Sequence, residues 1–397
     1  MKRWHIVCLA LACLPGLVLA QQKPVQNIDP VANRPYPVFD TTPAITMPPL
    51  VMDVSETSAV IMWMTDAPAA ARVRYGEHDL DKVAVPQSDG LVPVDTWHRV
   101  VIDGLEPGHT YQYRVESRRV VEVRPYWPEM GGTVNSDVHR FTTLDRNKRE
   151  ARFAFITDTH EDVGRIQALM DMIAAKPVDF VVDGGDIVNY AVDKSQLRHK
   201  FFGPVSKALK GSVPLLYVRG NHEERGAFAR GMNRYLHAPE GRYYFTREAG
   251  PVHLLVVDTG EDKPDATNVY AGLNNMRDYK RRQREWFAHA LQAKRVSTAP
   301  FTVILGHQPH WGWSDGHRDA WTKLANAAHV DLFIAGHDHR FGFIPAGQRG
   351  NDFPILIVGQ DQVARVQADD QRIQVTVTGR DGQVVKTFEV KRRDKAG

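Results

Sequence analysis

Apolar and polar residues follow two different rhythms along this chain. Between positions 58 and 65 they alternate, with Val60, Met62 and Met64 on one side and Ile61 and Trp63 on the other. Period-two alternation is the mark of a strand, and here both of its faces are apolar enough to be buried. Positions 71–75, 99–103, 110–115 and 138–142 read as further short strands, and Glu106-Pro107-Gly108 as a turn between two of them. Closely spaced strands with turn residues between them predict an all-β sandwich over residues 46–145, with Trp63 in its core. Positions 120–137 carry Pro125-Tyr126-Trp127-Pro128 and Gly131-Gly132 and read as a long inserted loop.

After the polar stretch at 145–150 the rhythm changes. Apolar runs of strand length at 153–157, 180–182, 215–218, 254–257, 302–305 and 332–335 alternate with longer segments. Ile166, Leu169, Met170 and Ile173 recur at helical spacing within 163–175, and Trp286, Phe287 and Leu291 mark an amphipathic helix over 281–293. Positions 355–390 return to strands around an Asp381-Gly382 turn. Strands alternating with helices predict a layered α/β domain over residues 150–391.

The N-terminus adds a compartment. Lys2 and Arg3, an apolar stretch and Val18-Leu19-Ala20 match a secretory signal peptide over residues 1–20, cut after Ala20. The apolar stretch is interrupted by Pro15 and is shorter than the ~20 residues a bilayer span requires. This predicts a periplasmic or secreted protein without a membrane span after cleavage. Cys8 and Cys13 both lie in the leader, so the processed chain would hold no disulfide. Residues 21–45 read as a Pro-rich linker. Removing Lys2 and Arg3 from the 50 basic residues leaves 48 against 47 acidic ones, a formal charge of +1 that excludes long-range attraction of nucleic acid.

Chemistry gathers where the apolar runs end. Asp158-Thr159-His160, Gly185-Asp186, Gly220-Asn221-His222-Glu223, Gly306-His307 and Gly336-His337-Asp338-His339 each follow such a run. Open α/β sheets place their ligand sites at these strand ends. Carboxylates, a carboxamide and imidazoles together can hold two divalent or trivalent cations, and mixed oxygen and nitrogen donors suit Fe, Mn or Zn. Paired metals are a recurrent means of hydrolysing phosphate esters.

Taken in order, these motifs resemble the calcineurin-like metallophosphoesterases. The resemblance implies a four-layer α/β/β/α domain. It also implies that Asp158, His160 and His339 hold one metal, that Asn221, His307 and His337 hold the other, and that Asp186 bridges them. A metal-bridging hydroxide would attack phosphorus, with His222 assisting the leaving group. The segment 105–111 resembles the corner of a fibronectin type III sandwich, with Tyr111 as the corner tyrosine. A sandwich ahead of such a domain is similar to the layout of the purple acid phosphatases. Those enzymes carry a tyrosine ligand three residues after the bridging aspartate; this chain has Asn189 there, with Tyr190 one place later. The expected reaction is hydrolysis of a small phosphate ester, a monoester in preference to a diester. The rival reading is a binding protein that uses its sandwich, through exposed aromatics such as Tyr126 and Trp127.

Residues expected at the pocket edge are His310, Trp311, Trp313, Tyr270 and Asn274, with loop packing as the alternative for the segment around His310 and His317. His253, inside an apolar run, reads as a core histidine with a hydrogen-bond partner, and Arg219 as structural. Oligomeric state has no signature in the sequence.

Overall fold

The computed structural model describes residues 40–236, 238, 240–312 and 316–393, together with the backbone pairing of Ile28–Asp29 with Arg34–Pro35. The leader, its two cysteines, most of the linker and Trp313 lie outside the described residues.

The sandwich comprises β1 (Ile45–Met52), β2 (Ser58–Gly76), β3 (Lys82–Ala84), β4 (Val94–Asp103), β5 (Thr110–Glu122), β6 (Glu129–Asn135) and β7 (His139–Thr142). The strands expected at 58–65 and 71–75 are one long strand, β2. Its first half pairs with β1 and β4, and its second half with β5 and β3, with a register slip between Met64 and Ala69 where Pro68 interrupts the ladder. The alternation is borne out: Ile61 and Trp63 enter one apolar cluster, Val60, Met62 and Met64 another. Trp63 is fully buried, and its indole N–H donates to Ser117 Oγ at 2.9 Å. The Tyr111 hydroxyl accepts the Glu106 N–H at 2.9 Å, closing the turn around Pro107.

The long loop expected at 120–137 is instead a hairpin. Val120 pairs with Met130 and Glu122 with Glu129, so β5 and β6 continue outward, with register shifts on either side of Val120, to the turn that joins them. The prolines that suggested a loop occupy that turn. Tyr126 and Trp127 project there, 80% and 49% exposed.

The second region has two sheets face to face. β8 (Ala151–Ile156), β9 (Phe180–Asp183) and β10 (Leu215–Tyr217) run parallel, and β8 is flanked by the antiparallel β17 (Gln362–Ala368), β18 (Arg372–Gly379) and β19 (Val384–Lys391). The other sheet has the order β11 (Phe245–Ala249), β12 (Val252–Val256), β13 (Phe301–Leu305), β14 (Leu332–Ala335), β16 (Ile355–Ile357) and β15 (Gly342–Ile344), with β12, β13, β14 and β16 parallel. Strand alternation divides the side chains. Phe153, Phe155, Val182, Val256, Val303 and Ile334 meet between the sheets. Ala154, Ile156 and Val181 face α1 (Val163–Ala174) and α2 (Gly203–Leu209). Leu255, Ile304 and Phe333 face α3 (Met276–Ala290) and α4 (Arg318–Ala327). The fold is a β-rich N-terminal region followed by an α/β/β/α domain. Among the described residues no helix is long and apolar enough to cross a membrane.

β10 also pairs with β1, through Leu215 and Met52, so the sandwich and the first α/β sheet form one continuous sheet.

Candidate metal centre

All five motifs leave the C-terminal ends of parallel strands, three from one sheet (β8, β9, β10) and two from the other (β13, β14), and their loops meet between the sheets. Backbone hydrogen bonds lace them together. Asp158 N donates to Gly185 O at 2.9 Å, His160 N to Asp186 O at 3.0 Å, and Gly336 N to His307 O at 2.8 Å. The glycines permit this approach: a Cβ on Gly220 would collide with Asp186, and one on Gly336 with Thr157 and Asp158. Asp158, His160, Asp186, His337 and His339 all have φ between 44° and 74°. Left-handed backbone costs non-glycine residues on the order of 1 kcal/mol each and is retained where surrounding contacts over-determine it.

The side chains form two overlapping groups. Donor atoms of Asp158, His160, Asp186 and His339 lie within 4.8 Å of one another, as do those of Asp186, His307 and His337, so Asp186 belongs to both. His160 Nε2 is 3.1 Å from His339 Nε2, and His339 Nε2 is 3.4 Å from Asp158 Oδ1. His307 Nε2 is 3.0 Å from Asp186 Oδ2. The fully buried Asn221 places Oδ1 3.1 Å from His337 Nδ1.

This donor set fits cations. Asp158 Oδ1 is buried without a hydrogen-bond partner, because Thr157 Oγ1 and His337 N both donate to Oδ2, at 2.8 and 2.9 Å. Acceptor atoms converge with too few protons among them to satisfy all. Electrostatics agree. Burial pushes the Asp158 carboxyl up. Burial would lower His307, but Asp186, Asp158 and Glu223 outweigh it and push His307 up to about 10. Burial would likewise raise Asp186, and His307 reverses it, holding the carboxyl well below its usual range. His337, desolvated and beside His307, falls to about 4. The pocket draws a positive charge to its centre.

Three positioning groups escaped the sequence reading. Glu223, buried, accepts the N–H groups of Asp186 (3.0 Å), Ile187 (2.6 Å) and Gly220 (2.8 Å), tying two donor loops with one carboxylate. The Gly184 carbonyl lies 2.8 Å from His307 Nδ1, which turns Nε2 towards Asp186. The third is the Asn189 carbonyl, 2.7 Å from His222 Nδ1. Glu223 stands inside a quoted motif, which was the available signal; backbone carbonyls carry none.

Residues 151–341 match the calcineurin-like phosphoesterase family, and residues 50–143 match the purple acid phosphatase N-terminal domain. The region that holds all five motifs is thus similar to the calcineurin-like phosphoesterases. The chain is 27% identical over 211 residues to an uncharacterized metallophosphoesterase of Helicobacter pylori, covering 51% of this chain and 48% of that protein. It is 24% identical over 267 residues to human acid phosphatase type 7, covering 64% of this chain and 56% of that protein. The chain thus spans about half the length of these curated relatives. Its fold is shared with the purple acid phosphatase PPD1 from yellow lupin seeds, at a TM-score of 0.65 and 14% identity, over 87% of this chain and 75% of that one.

At the rim of the candidate metal centre, His222 lies 3.8 Å from Asp186 Oδ2. The His310 ring stands edge-on to His337, with centroids 5.8 Å apart. Tyr270 and Asn274 line a cavity of about 460 Å³ beside Arg225 and Lys263. Trp311 is a correction: it is 3% exposed and stacks on Phe333 at 4.7 Å, with its indole N–H on Thr322, so it packs the core and presents no face to a ligand. Its sequence context, a loop of mixed polarity, gave no period from which burial could be read. His317 is exposed at the start of α4. His253 is a core histidine on Glu248, at 2.7 Å, and Arg219 sits between Asp258 and Glu224. Tyr190 is 57% exposed and outside the donor groups, and Asn189 N bonds Glu161.

Proposed function

We propose that this protein is a secreted or periplasmic metal-dependent phosphoric ester hydrolase with a binuclear centre, acting on small phosphomonoesters in preference to diesters. The observation that carries this reading is Asp186, a single carboxylate shared by two groups of donors. Asp158, His160 and His339 would hold one cation, Asn221, His307 and His337 the other, and Asp186 would serve both. Two such ions, Fe, Mn or Zn, would supply Lewis acidity and an activated water.

The chain's own residues do the rest. Gly184 and Glu223 hold His307 and the Asp186 loop in place, so little reorganisation is needed when charge develops. His222 stands at the rim rather than among the buried donors, and there it would face the leaving group of a bound ester. The family matches support the reaction class, and the solvent-facing rim favours a small, polar ester.

The experiment is turnover of nitrophenyl phosphate against bis(nitrophenyl) phosphate, after metal analysis and reloading with Fe, Mn or Zn. Faster monoester cleavage is expected. Faster diester cleavage would reverse the preference, and hydrolysis of neither ester with any metal would remove the reading.

A further inference from the structure

His222 is clamped from both sides. Its Nδ1 is 2.7 Å from the Asn189 carbonyl oxygen, and its Nε2 is 3.0 Å from Arg225 Nη1. A carbonyl only accepts and a guanidinium only donates, so the two contacts assign one tautomer: Nδ1 carries the proton and Nε2 the lone pair. In this state Nε2 has no proton to give a leaving group, which departs from the general-acid role expected of His222.

Arg225 is itself fixed. Its Nε and Nη2 donate to Glu261 Oε1 and Oε2, at 2.9 and 2.8 Å, and Nη2 also reaches Asp262 Oδ1 at 3.1 Å. Glu261 is buried, so the fork is a two-point bond that a lysine could not reproduce in full. The fork leaves Nη1 as the nitrogen turned to His222. Arg225 also lines the cavity with Tyr270 and Asn274, so it stands between that cavity and the donor cluster.

We propose that Arg225, braced by Glu261, is the positioning residue of His222, setting its ring orientation and tautomer and presenting a fixed positive charge beside the reacting phosphate. The inference rests on the phosphoesterase reading for its kinetic consequence and on geometry alone for the tautomer.

The test uses the full chain with Arg225→Met, Arg225→Lys and Glu261→Gln. Expected for Arg225→Met is a kcat for nitrophenyl phosphate lower by about 10–100-fold with KM within about 3-fold, the scale of losing an orienting partner. Rate should also depend more steeply on leaving-group acidity across substituted phenyl phosphates. Arg225→Lys should recover part of kcat, and Glu261→Gln, which keeps the guanidinium, should fall between. The second readout needs no turnover. The ring-nitrogen NMR shifts of His222 should report Nδ1–H and a hydrogen-bonded Nε2 lone pair in the unaltered protein, and an Nε2 shifted away from that value in Arg225→Met. Unchanged nitrogen shifts in a folded Arg225→Met protein would overturn the proposal, as would unchanged kcat and leaving-group slope. If the unaltered protein hydrolyses no ester, the phosphoesterase reading fails, and the nitrogen shifts still decide this one.

Discussion

Two carboxylates with little solvent exposure, one in each half of the molecule, meet their desolvation in opposite ways. Glu116, on the sandwich, is ringed by guanidinium groups: Arg72 donates to one oxygen, and Arg74 (2.8 Å) and Arg114 (3.1 Å) to the other. Burial works to raise its pKa, but the hydrogen bond and charge of Arg72, followed by Arg74, outweigh it and hold the carboxyl below its usual range. Asp158 spends both of its donors on one oxygen and leaves the other bare, and burial wins. Glu116 has both of its oxygens satisfied within the chain. Asp158 keeps one oxygen open, in a loop held in left-handed backbone, and aims it at the other donor atoms of the cluster. An unfilled coordination demand held in a rigid frame is what a cation site requires.

The contrast can be broken most severely at Asp186. Asp186→Asn should lower phosphate ester turnover by more than ~100-fold, beyond the usual cost of losing an orienting neighbour, and should reduce bound metal. Circular dichroism should be unchanged. Undiminished turnover would shift attention to the exposed aromatics of the sandwich hairpin.

Asp53 tests the same physics without a ligand. It is buried, its Oδ1 has no partner, and burial raises it to about 6 despite Arg247 and Arg99. A carboxyl raised on folding contributes stability in full below its ordinary pKa and loses it as pH rises through about 6. Asp53→Asn should therefore stabilise the protein by about 2–3 kcal/mol at pH 8 and by nothing at pH 3.5, read by urea unfolding. An equal gain at both pH values would contradict the assignment.

A smaller effect belongs to Glu116→Gln. Its three arginine partners are a third to a half exposed, so water can take up their charge, and about 1–2 kcal/mol of sandwich stability should be lost with no change in turnover. The smallest expectation is a null one. With Asn189 where purple acid phosphatases place a tyrosine, iron-loaded protein should lack an intense phenolate-to-iron band in the visible spectrum. A purple preparation would show that Tyr190 or another phenol reaches the metal.

The donor cluster was legible in the sequence because each member follows an apolar run, and parallel strands deliver their C-terminal ends to one rim. Glu223 and Arg225 were not: their importance lies in which backbone or ring atom they touch, and no spacing encodes that. The hairpin of β5 and β6 was hidden for a related reason. Pro125 and Pro128 signal a break, whereas Val120 pairing with Met130 emerges only once the strands are laid side by side. Strand β11 and helix α4 were missed as well, being short and mixed in polarity.

Met52 paired with Leu215 has a practical meaning for anyone hoping to trim this protein. No seam separates its halves. Arg247 reaches across to the Asp53 carbonyl as well, so a cut near residue 145 would strip a neighbour from β10 and lay bare a ribbon of unsatisfied peptide groups. Such exposed borders recruit copies of themselves. A fragment holding the α/β domain alone should precipitate where the intact chain stays dispersed.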